Sequence, residues 1–292
     1  MSVIKAIILG IIEGITEFLP ISSTGHLIIA NNFLSFGDKG FENAFNVIIQ
    51  LGAILSVVFL YWNKLNPFSY RKVSKKLGRH IKNLPFKERA ALAFKNPDKR
   101  IIRLWVKIIV GVIPAAILGF LFDDFIDAHL FSTKVVAVTL ILYGIVIILI
   151  ETKYNRETKF NSIEEAGLLT CLLVGVFQCL AMIPGTSRSA ATIIGAVLLG
   201  FSRSAAAEFS FFLAIPTMLG ATLLKLFKIG TALSFSQFIL IFIGGLVSFI
   251  VALIVIKSFM NYIKKHNFVY FGYYRIFLGV ILIILMIARV IS

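Results

Sequence analysis

The sequence predicts an all-α integral membrane protein, a helical bundle of inverted-topology repeats that each contain one re-entrant helix hairpin and three transmembrane helices. Of the 292 residues, 59% are hydrophobic and only 15% are charged. The mean hydropathy of +0.94 is typical of helical membrane proteins. Long apolar runs exclude a membrane β-barrel, whose strands are short and alternate in polarity. A polar turn between two short apolar segments, followed by three longer ones, occurs twice.

Residues 13–26 form the first of the two polar turns and carry an unusual number of reactive side chains for so apolar a chain. Glu13 and Glu17 are four residues apart, so a helix over residues 3–18 places both carboxylates on one face. Pro20 ends that helix, because proline lacks an N–H and restricts the residue before it. Ionisable groups inside a membrane are costly, so this segment is predicted to be functional.

A second short helix is predicted to follow the turn, over residues 25–34. Three hydroxyl residues before it are favourable N-cap residues. The first N–H groups of this helix would point back toward the carboxylates, an arrangement that binds anions, alone or with a bridging metal ion. Both helices are shorter than the roughly 20 residues that cross a bilayer, so we expect a re-entrant hairpin. The three hydroxyl residues are Ser22, Ser23 and Thr24.

Six longer apolar segments are predicted to cross the membrane, three after each hairpin. An acidic connection is expected after the second of them, since three aspartates follow it with no basic residue before Lys134. These aspartates are Asp123, Asp124 and Asp127. The predicted spans are residues 44–62, 104–122, 135–150, 206–226, 237–257 and 271–290.

The second half of the chain repeats the layout of the first. An apolar helix is predicted over residues 164–183, followed by the polar turn IPGTSRSA and a short helix over residues 192–201. Each repeat contains three spans, an odd number, so the second repeat enters the membrane from the opposite side and the two hairpins face each other. The matching groups are Gly10-x-x-Glu13 with Gly175-x-x-Gln178, Pro20-x-Ser22-Ser23 with Pro184-x-Thr186-Ser187, Leu51-Gly52-Ala53 with Leu219-Gly220-Ala221, and Gly144-Ile145-Val146 with Gly279-Val280-Ile281.

Most of the net charge of +15 lies in one segment, residues 63–103, which holds thirteen Lys or Arg residues and two acidic ones. In a membrane protein, the preference of basic loops for the cytoplasmic side explains this charge better than a nucleic-acid partner, which we exclude. The segment is therefore predicted to be a cytoplasmic loop, and the acidic connection to be external. We predict a single membrane domain, 1–292, with repeat one at 1–151 and repeat two at 164–292.

Two hairpin tips that meet in the bilayer would bring carboxylates, hydroxyls and one guanidinium together. Arg188 lies among hydroxyl residues near the start of the second short helix, and a guanidinium binds phosphate through paired hydrogen bonds. Glu13 and Glu17 supply two oxygen ligands, so Mg²⁺ or Ca²⁺ would need diphosphate oxygens and water to complete its shell. A structural ion pair between Arg188 and a glutamate is the alternative. The predicted substrate-binding residues are Ser22, Thr24, Thr186, Ser187 and Ser189.

Ser23, His26, Glu17 and Arg188 are the predicted catalytic residues. Ser23 and His26 are three residues apart, close to one helical turn, so His26 could take the serine proton while Glu17 orients the imidazole. In the alternative arrangement, His26 or Glu17 activates a water molecule and Ser23 only binds the phosphate. We favour Ser23 as the nucleophile, because a hydroxyl at a helix start beside a histidine has a direct chemical use.

The segments EGITEFLPISSTGH and PGTSRSA resemble the undecaprenyl pyrophosphate phosphatase family, the bacitracin-resistance type, and the likeness covers essentially the whole chain. The resemblance implies hydrolysis of undecaprenyl diphosphate to undecaprenyl phosphate and inorganic phosphate, which recycles the lipid carrier of cell-wall synthesis. It also implies a divalent metal, a location in the bacterial plasma membrane, and an active site open to the outer face. The family's paired glutamates fall on Glu13 and Glu17, and its motif serine, histidine and arginine fall on Ser23, His26 and Arg188.

Other functions remain as alternatives at this point. Inverted repeats with discontinuous helices are also a transporter architecture, so the same site could hold the headgroup in a flippase for polyprenyl phosphate lipids. A purely structural membrane protein would leave Glu13, Glu17 and Arg188 without a role. The sequence leaves open the identity of the metal, the preferred prenyl chain length, the function of the basic segment and the oligomeric state, including a homodimer.

Overall fold

The computed structural model describes residues 2–69, 74, 84–130, 132–154, 157–229 and 233–291. Almost all of these residues are helical, and single-turn helices at Trp62–Leu65, Ile163–Glu165 and Leu180–Met182 supplement the longer ones. The longer helices are α1 (Ser2–Thr16), α2 (Ser23–Leu34), α3 (Lys39–Leu60), α4 (Phe86–Lys95), α5 (Lys99–His129), α6 (Thr133–Lys153), α7 (Leu168–Cys179), α8 (Arg188–Leu198), α9 (Arg203–Ile229), α10 (Phe235–Ile263) and α11 (Val269–Ile287).

Six helices in the described part of the chain are long and apolar enough to cross a membrane, and they correspond to the six predicted spans. They are α3, α6, α10 and α11 in full, together with Lys99–Phe122 of α5 and Arg203–Leu224 of α9. Large apolar side chains on their outer faces are exposed, among them Phe59, Ile254 and Phe277. An exposed apolar surface of this extent is stable in lipid and not in water, so the chain is a multi-pass helical membrane protein.

The segment predicted as a basic loop, residues 63–103, is partly helical, and that part of the prediction was wrong. Helix α4 lies within the segment, and α5 already begins at Lys99. Helix α5 begins five residues before the predicted span at 104, because the Asp98 carboxylate caps the helix by accepting a hydrogen bond from the Arg100 N–H at 3.0 Å. Positions 70–73 and 75–83 of the predicted loop lie outside the described residues.

The acidic connection predicted at residues 123–127 is also helical, which corrects that expectation. These residues belong to the last turns of α5, which ends only at His129. No proline or glycine occurs after Gly119 in this helix, so nothing in the local sequence ends it earlier. The stretch long and apolar enough to span a membrane ends at Phe122, and the acidic residues extend the helix beyond it.

Both short helix pairs are present, although their bounds differ from the prediction. Helix α8 begins four residues before the predicted start at Thr192, because the Ser187 hydroxyl accepts a hydrogen bond from the Ala190 N–H and caps the helix. Ser22 caps α2 in the same way. Both caps have a positive φ, 72° at Ser22 and 73° at Ser187, which is uncommon for residues other than glycine. Strained backbone of this kind is concentrated at functional sites.

Glycines allow the helices behind the two turns to approach each other closely. A Cβ atom added at Gly10 of α1 would lie 2.5 Å from the carbonyl oxygen of Gly244 in α10, and one at Gly144 of α6 would lie 2.8 Å from that of Gly272 in α11. Helix α7 meets α5 in the same manner, at Gly175. Contacts between small residues are the usual way in which membrane helices associate, and here they hold the two polar turns inside the bundle.

Candidate active site

The two polar turns lie against each other in the interior of the described structure. The Arg188 guanidinium at the start of α8 donates through Nη2 to Glu17 Oε1 at 3.3 Å. The Ser189 hydroxyl donates to the Leu19 carbonyl oxygen at 2.9 Å. These contacts join residues separated by about 170 positions in the chain, and they bring the predicted site residues of both halves together.

Glu17 is the centre of the site. Its Oε2 accepts a hydrogen bond from the Ser23 hydroxyl at 2.9 Å, while its Oε1 faces Arg188. All three side chains are buried, with exposed fractions of 6% for Glu17, 9% for Ser23 and 8% for Arg188. A carboxylate that accepts the hydroxyl hydrogen of a buried serine is placed to take that proton when the oxygen attacks an electrophile.

Ser210, which the sequence analysis missed, holds the other side of the Arg188 guanidinium, and Thr192, also missed, contacts Ser210. Its Nη1 donates to the Ser210 carbonyl oxygen at 2.9 Å and reaches the Ser210 hydroxyl at 3.4 Å. The Thr192 hydroxyl lies 2.7 Å from that of Ser210. Arg188 Nε is buried and has no acceptor, so one donor of the guanidinium stays available to a ligand oxygen. The sequence offered one signal for Ser210, which is that this polar residue lies within the apolar helix α9.

Glu13 lies beside this cluster, and its charge is not balanced by a hydrogen-bond donor. The side chain is fully buried, and neither carboxylate oxygen has a hydrogen-bond partner. It is close enough to Glu17 and Arg188 to interact electrostatically with both. Two neighbouring carboxylates, one of them with both oxygens unpartnered, suit a hard divalent cation such as Mg²⁺ or Ca²⁺. The described residues contain no group of three or more His, Cys, Asp or Glu side chains for a metal, so further ligands would come from substrate and water.

His26 does not contact Ser23, and this corrects the expected serine–histidine pair. One ring nitrogen, Nδ1, lies 2.7 Å from the Ser22 carbonyl oxygen, and Nε2 lies 2.7 Å from the Tyr274 hydroxyl. The rings of His26 and Tyr274 are also stacked, with centroids 5.6 Å apart. The imidazole lies against the carbonyl one helical turn earlier, while the Ser23 hydroxyl donates to Glu17, just after the end of α1. Glu17 therefore occupies the place that we expected His26 to take.

The remaining predicted hydroxyl residues divide between capping and ligand-facing roles. Ser22 and Ser187 are the helix caps already described, and the Ser187 hydroxyl also lies 3.0 Å from that of Ser189. Thr186 is fully buried, yet its hydroxyl has no hydrogen-bond partner. Thr24 is half-buried. An unpartnered buried hydroxyl next to Arg188 is a candidate contact for a phosphate oxygen.

Arg275 of α11 is a further residue of the site region that the sequence analysis missed. Its side chain is fully buried and donates to the carbonyl oxygens of Pro20, at 3.4 Å, and of Gly185, at 2.9 Å. The signal was present in the sequence, because an arginine within an apolar span marks a functional position.

The fold and the site together define a class of protein, a multi-pass helical membrane protein with a buried serine–carboxylate–guanidinium cluster suited to binding and transferring a phosphoryl group. The sequence pattern of one family, described as "Bacitracin resistance protein BacA", matches residues 6–281. The chain belongs to this family.

Curated relatives resemble the chain over nearly its whole length. It is 47% identical over 284 residues to "Undecaprenyl-diphosphatase 1" of Clostridioides difficile (strain 630), covering 97% of this chain and 96% of the relative. It is 50% identical over 286 residues to "Undecaprenyl-diphosphatase" of Fusobacterium nucleatum subsp. nucleatum, covering 96% and 99%. With "Undecaprenyl-diphosphatase" of Acetivibrio thermocellus it shares 46% identity over 290 residues, covering 99% of both chains.

Proposed function

We propose that this protein is a membrane phosphatase that hydrolyses undecaprenyl diphosphate to undecaprenyl phosphate and inorganic phosphate, and so recycles the lipid carrier of cell-wall synthesis. Membership of the family and the names of its relatives support this activity. The observation that carries the chemistry is the buried Glu17 carboxylate, which binds the Ser23 hydroxyl on one oxygen and the Arg188 guanidinium on the other.

Ser23 is the proposed nucleophile and Glu17 its base. The Ser23 oxygen attacks the terminal phosphorus, its proton passes to Glu17 Oε2, and the bond from that phosphorus to the bridging oxygen breaks. Undecaprenyl phosphate leaves and takes the proton from Glu17 on its former bridging oxygen, and a phosphoserine remains. Water then attacks the phosphoserine phosphorus and gives a proton to the regenerated Glu17 carboxylate, the bond from phosphorus to the Ser23 oxygen breaks, and Glu17 returns the proton to Ser23 as inorganic phosphate leaves. The alternative is a single step in which Glu17 or His26 activates the water and Ser23 only binds the phosphate.

Arg188 is proposed to bind the transferred phosphoryl group. Its Nη atoms are fixed by Glu17 and Ser210, and the free Nε–H supplies a donor for a phosphate oxygen. Because the guanidinium is held on both sides, it needs little reorganisation as negative charge develops on the phosphoryl oxygens. The unpartnered hydroxyl of Thr186 is a second contact of the same kind.

A divalent cation, Mg²⁺ or Ca²⁺, is proposed to bind Glu13 and Glu17. The two unpartnered oxygens of Glu13 support this site, because buried carboxylate oxygens otherwise have hydrogen-bond donors or counter-charges. When bound, the cation would neutralise charge on the diphosphate and hold its oxygens in place. His26 is not proposed as a ligand of the cation; it is proposed to belong to the catalytic site, where its ring contacts the Ser22 carbonyl oxygen.

The membrane arrangement that we propose has two inverted repeats, at 1–151 and 164–292, within a single membrane domain. Ser22 and Ser187 support it, because each caps the second helix of its hairpin with a positive φ. Their correspondence is shifted by one residue from the sequence match, which pairs Ser22 with Thr186. Two close contacts between α6 and α11 support it as well: Gly144 meets Gly272, and the Ala137 carbonyl meets Gly279. The two contacts are equivalent in the repeats, because Gly279 lies 135 residues after Gly144 and Gly272 lies 135 residues after Ala137.

The two short hairpins are proposed to be re-entrant, since α1 has 15 residues and α7 has 12, against about 20 for a full crossing. With the basic segment on the cytoplasmic side, the first hairpin opens to the outer face of the bacterial plasma membrane. The diphosphate of a lipid in the outer leaflet would reach the site from that side.

Release of inorganic phosphate from undecaprenyl diphosphate by the purified full chain in lipid nanodiscs tests the activity. We expect release by the wild type and almost none by Ser23→Ala. Ser56→Ala is the matched control, because Ser56 is a fully buried serine whose hydroxyl binds only its own helix, at the Ala53 carbonyl. Binding and transfer of the lipid between leaflets without phosphate release would instead support the flippase.

A further inference from the structure

Arg275 is a buried cation without a carboxylate partner in the described part of the chain. Its guanidinium donates to two backbone carbonyls, and the ring of Tyr143 lies 6.0 Å from its central carbon. Burying a charged group is costly unless hydrogen bonds compensate for the lost water. An apolar residue at this position of α11 would avoid that cost, so the arginine requires an explanation in terms of function.

The two carbonyls that Arg275 binds belong to different turns of the active site. Its Nη1 reaches the Pro20 oxygen, three residues before Ser23, and its Nη2 reaches the Gly185 oxygen, three residues before Arg188. The planar guanidinium fixes the directions of both hydrogen bonds, so the two turns are held at a set separation. Neither contact involves a side chain of the catalytic cluster.

Other side chains bind the neighbouring carbonyl in each turn. The Leu19 oxygen accepts from Ser189, and the Pro184 oxygen accepts from the Thr139 hydroxyl of α6 at 2.7 Å. Two successive carbonyls are therefore bound in each turn, and Arg275 is the residue that contributes to both pairs. Helix α11 packs closely on α6 at Gly272 and Gly144, and this packing holds Arg275 between the two turns.

We propose that Arg275 is a positioning residue that fixes the two turns relative to each other and so keeps Ser23 and Glu17 of one turn aligned with Arg188 of the other. This inference rests on the proposed phosphatase function and names a residue on which its turnover depends. On this proposal Arg275 acts through the two backbone carbonyls that its Nη atoms bind. A displacement of about 1 Å in such a site can cost on the order of a hundredfold in rate.

The test compares Arg275→Met and Arg275→Lys with wild type in phosphate release from undecaprenyl diphosphate by the full chain in nanodiscs. Methionine has a similar length and removes the buried charge, so it does not leave an unpaired cation. We expect kcat to fall at least about 30-fold in Arg275→Met, with KM changed less than about threefold, because the phosphate contacts of Arg188 remain. Arg103→Met is the control, since Arg103 is an exposed arginine of α5 outside the site.

A double-mutant cycle with Ser189→Ala separates positioning from a general effect on folding. Both side chains hold successive carbonyls of the first turn, so we expect Ser189→Ala to cost about tenfold in kcat alone and less than about threefold in the Arg275→Met background. Effects that multiply would overturn the proposal, as would an Arg275→Met protein with wild-type kcat.

If Arg275→Met does not fold, Arg275→Lys decides. Lysine keeps the charge on a single nitrogen, and we expect a loss of about tenfold in kcat with a melting temperature near that of wild type. Wild-type kcat in Arg275→Lys would refute positioning by the forked guanidinium. An inactive wild-type protein would overturn the proposed function and this inference with it, whereas active wild type with unaffected Arg275 variants overturns this inference alone.

Discussion

Replacing Arg188 by lysine keeps the positive charge of the buried site and removes the forked geometry of the guanidinium. In the structure, Arg188 is bound to Glu17 on one side and to Ser210 on the other, and Nε remains for a ligand. A lysine has one nitrogen, so it cannot keep both protein contacts and also bind the phosphate. We therefore expect Arg188→Lys to lose most of its activity.

The size of this loss follows from the burial of the site. Arg188 is only 8% exposed, so solvent does not compensate for a missing hydrogen bond. Removing a charged hydrogen-bond partner from a buried anion costs about 2 to 5 kcal/mol. At about 1.4 kcal/mol per factor of ten, kcat/KM should fall by about 30- to several-thousand-fold.

The assay is phosphate release over a range of undecaprenyl diphosphate concentrations, with thermal unfolding measured on the same preparations. Arg103→Lys is the matched control, because Arg103 is an exposed arginine of α5 outside the site. Substitutions at exposed positions change stability by about 0.5 kcal/mol or less, so this control should retain nearly full activity. A folded Arg188→Lys protein with near-wild-type turnover would show that Arg188 has only a structural role.

The other predictions concern the metal, the histidine and the orientation in the membrane. Excess chelator should abolish phosphate release, and full activity in chelator would reject the metal. Glu13→Gln should raise the Mg²⁺ concentration for half-maximal activity by at least about tenfold, since even changes in residues that only contact a metal ligand cost about that much. Tyr274→Phe should leave kcat near that of wild type, because Tyr274 holds His26 whereas Glu17 takes the Ser23 proton; a large loss of kcat would assign His26 a part in proton transfer. In a variant without native cysteines, an impermeant reagent applied outside should label His129→Cys and not Lys87→Cys, and labelling of both would refute the inverted arrangement.

The hairpins could be predicted from the sequence because their signals are local. Proline at position 20 and the hydroxyl residues after it end one helix and begin another whatever the rest of the chain does. The start of α8 was harder to predict from the sequence, because Ser187 becomes a cap only by adopting a positive φ. The same limit applies to α5, in which the aspartates after Phe122 continue the helix although their composition is typical of a loop.

The grouping of Glu17, Ser23 and Arg188 could be predicted from the sequence, whereas the contacts between them could not. Spacing alone favoured His26 as the partner of Ser23, since both lie on α2. The direction of the Ser23 hydroxyl depends on how the turn folds back on α1, and this places it on Glu17 instead. Ser210 and Arg275 bind the site from helices distant in sequence, so no local pattern connects them to it.

The central claim is that Ser23 is a nucleophile activated by Glu17, and trapping the enzyme during turnover tests it most directly. Undecaprenyl diphosphate labelled in its terminal phosphate is mixed with the full chain, and the reaction is stopped in acid within milliseconds. We predict label on the protein at Ser23, and turnover in Ser23→Ala reduced almost to zero. Two results together would contradict the account and assign the attack to water. Ser23→Ala would keep substantial turnover, on the order of 1 to 10% as for one lost charge-assisted hydrogen bond, and the wild-type protein would carry no label at any time.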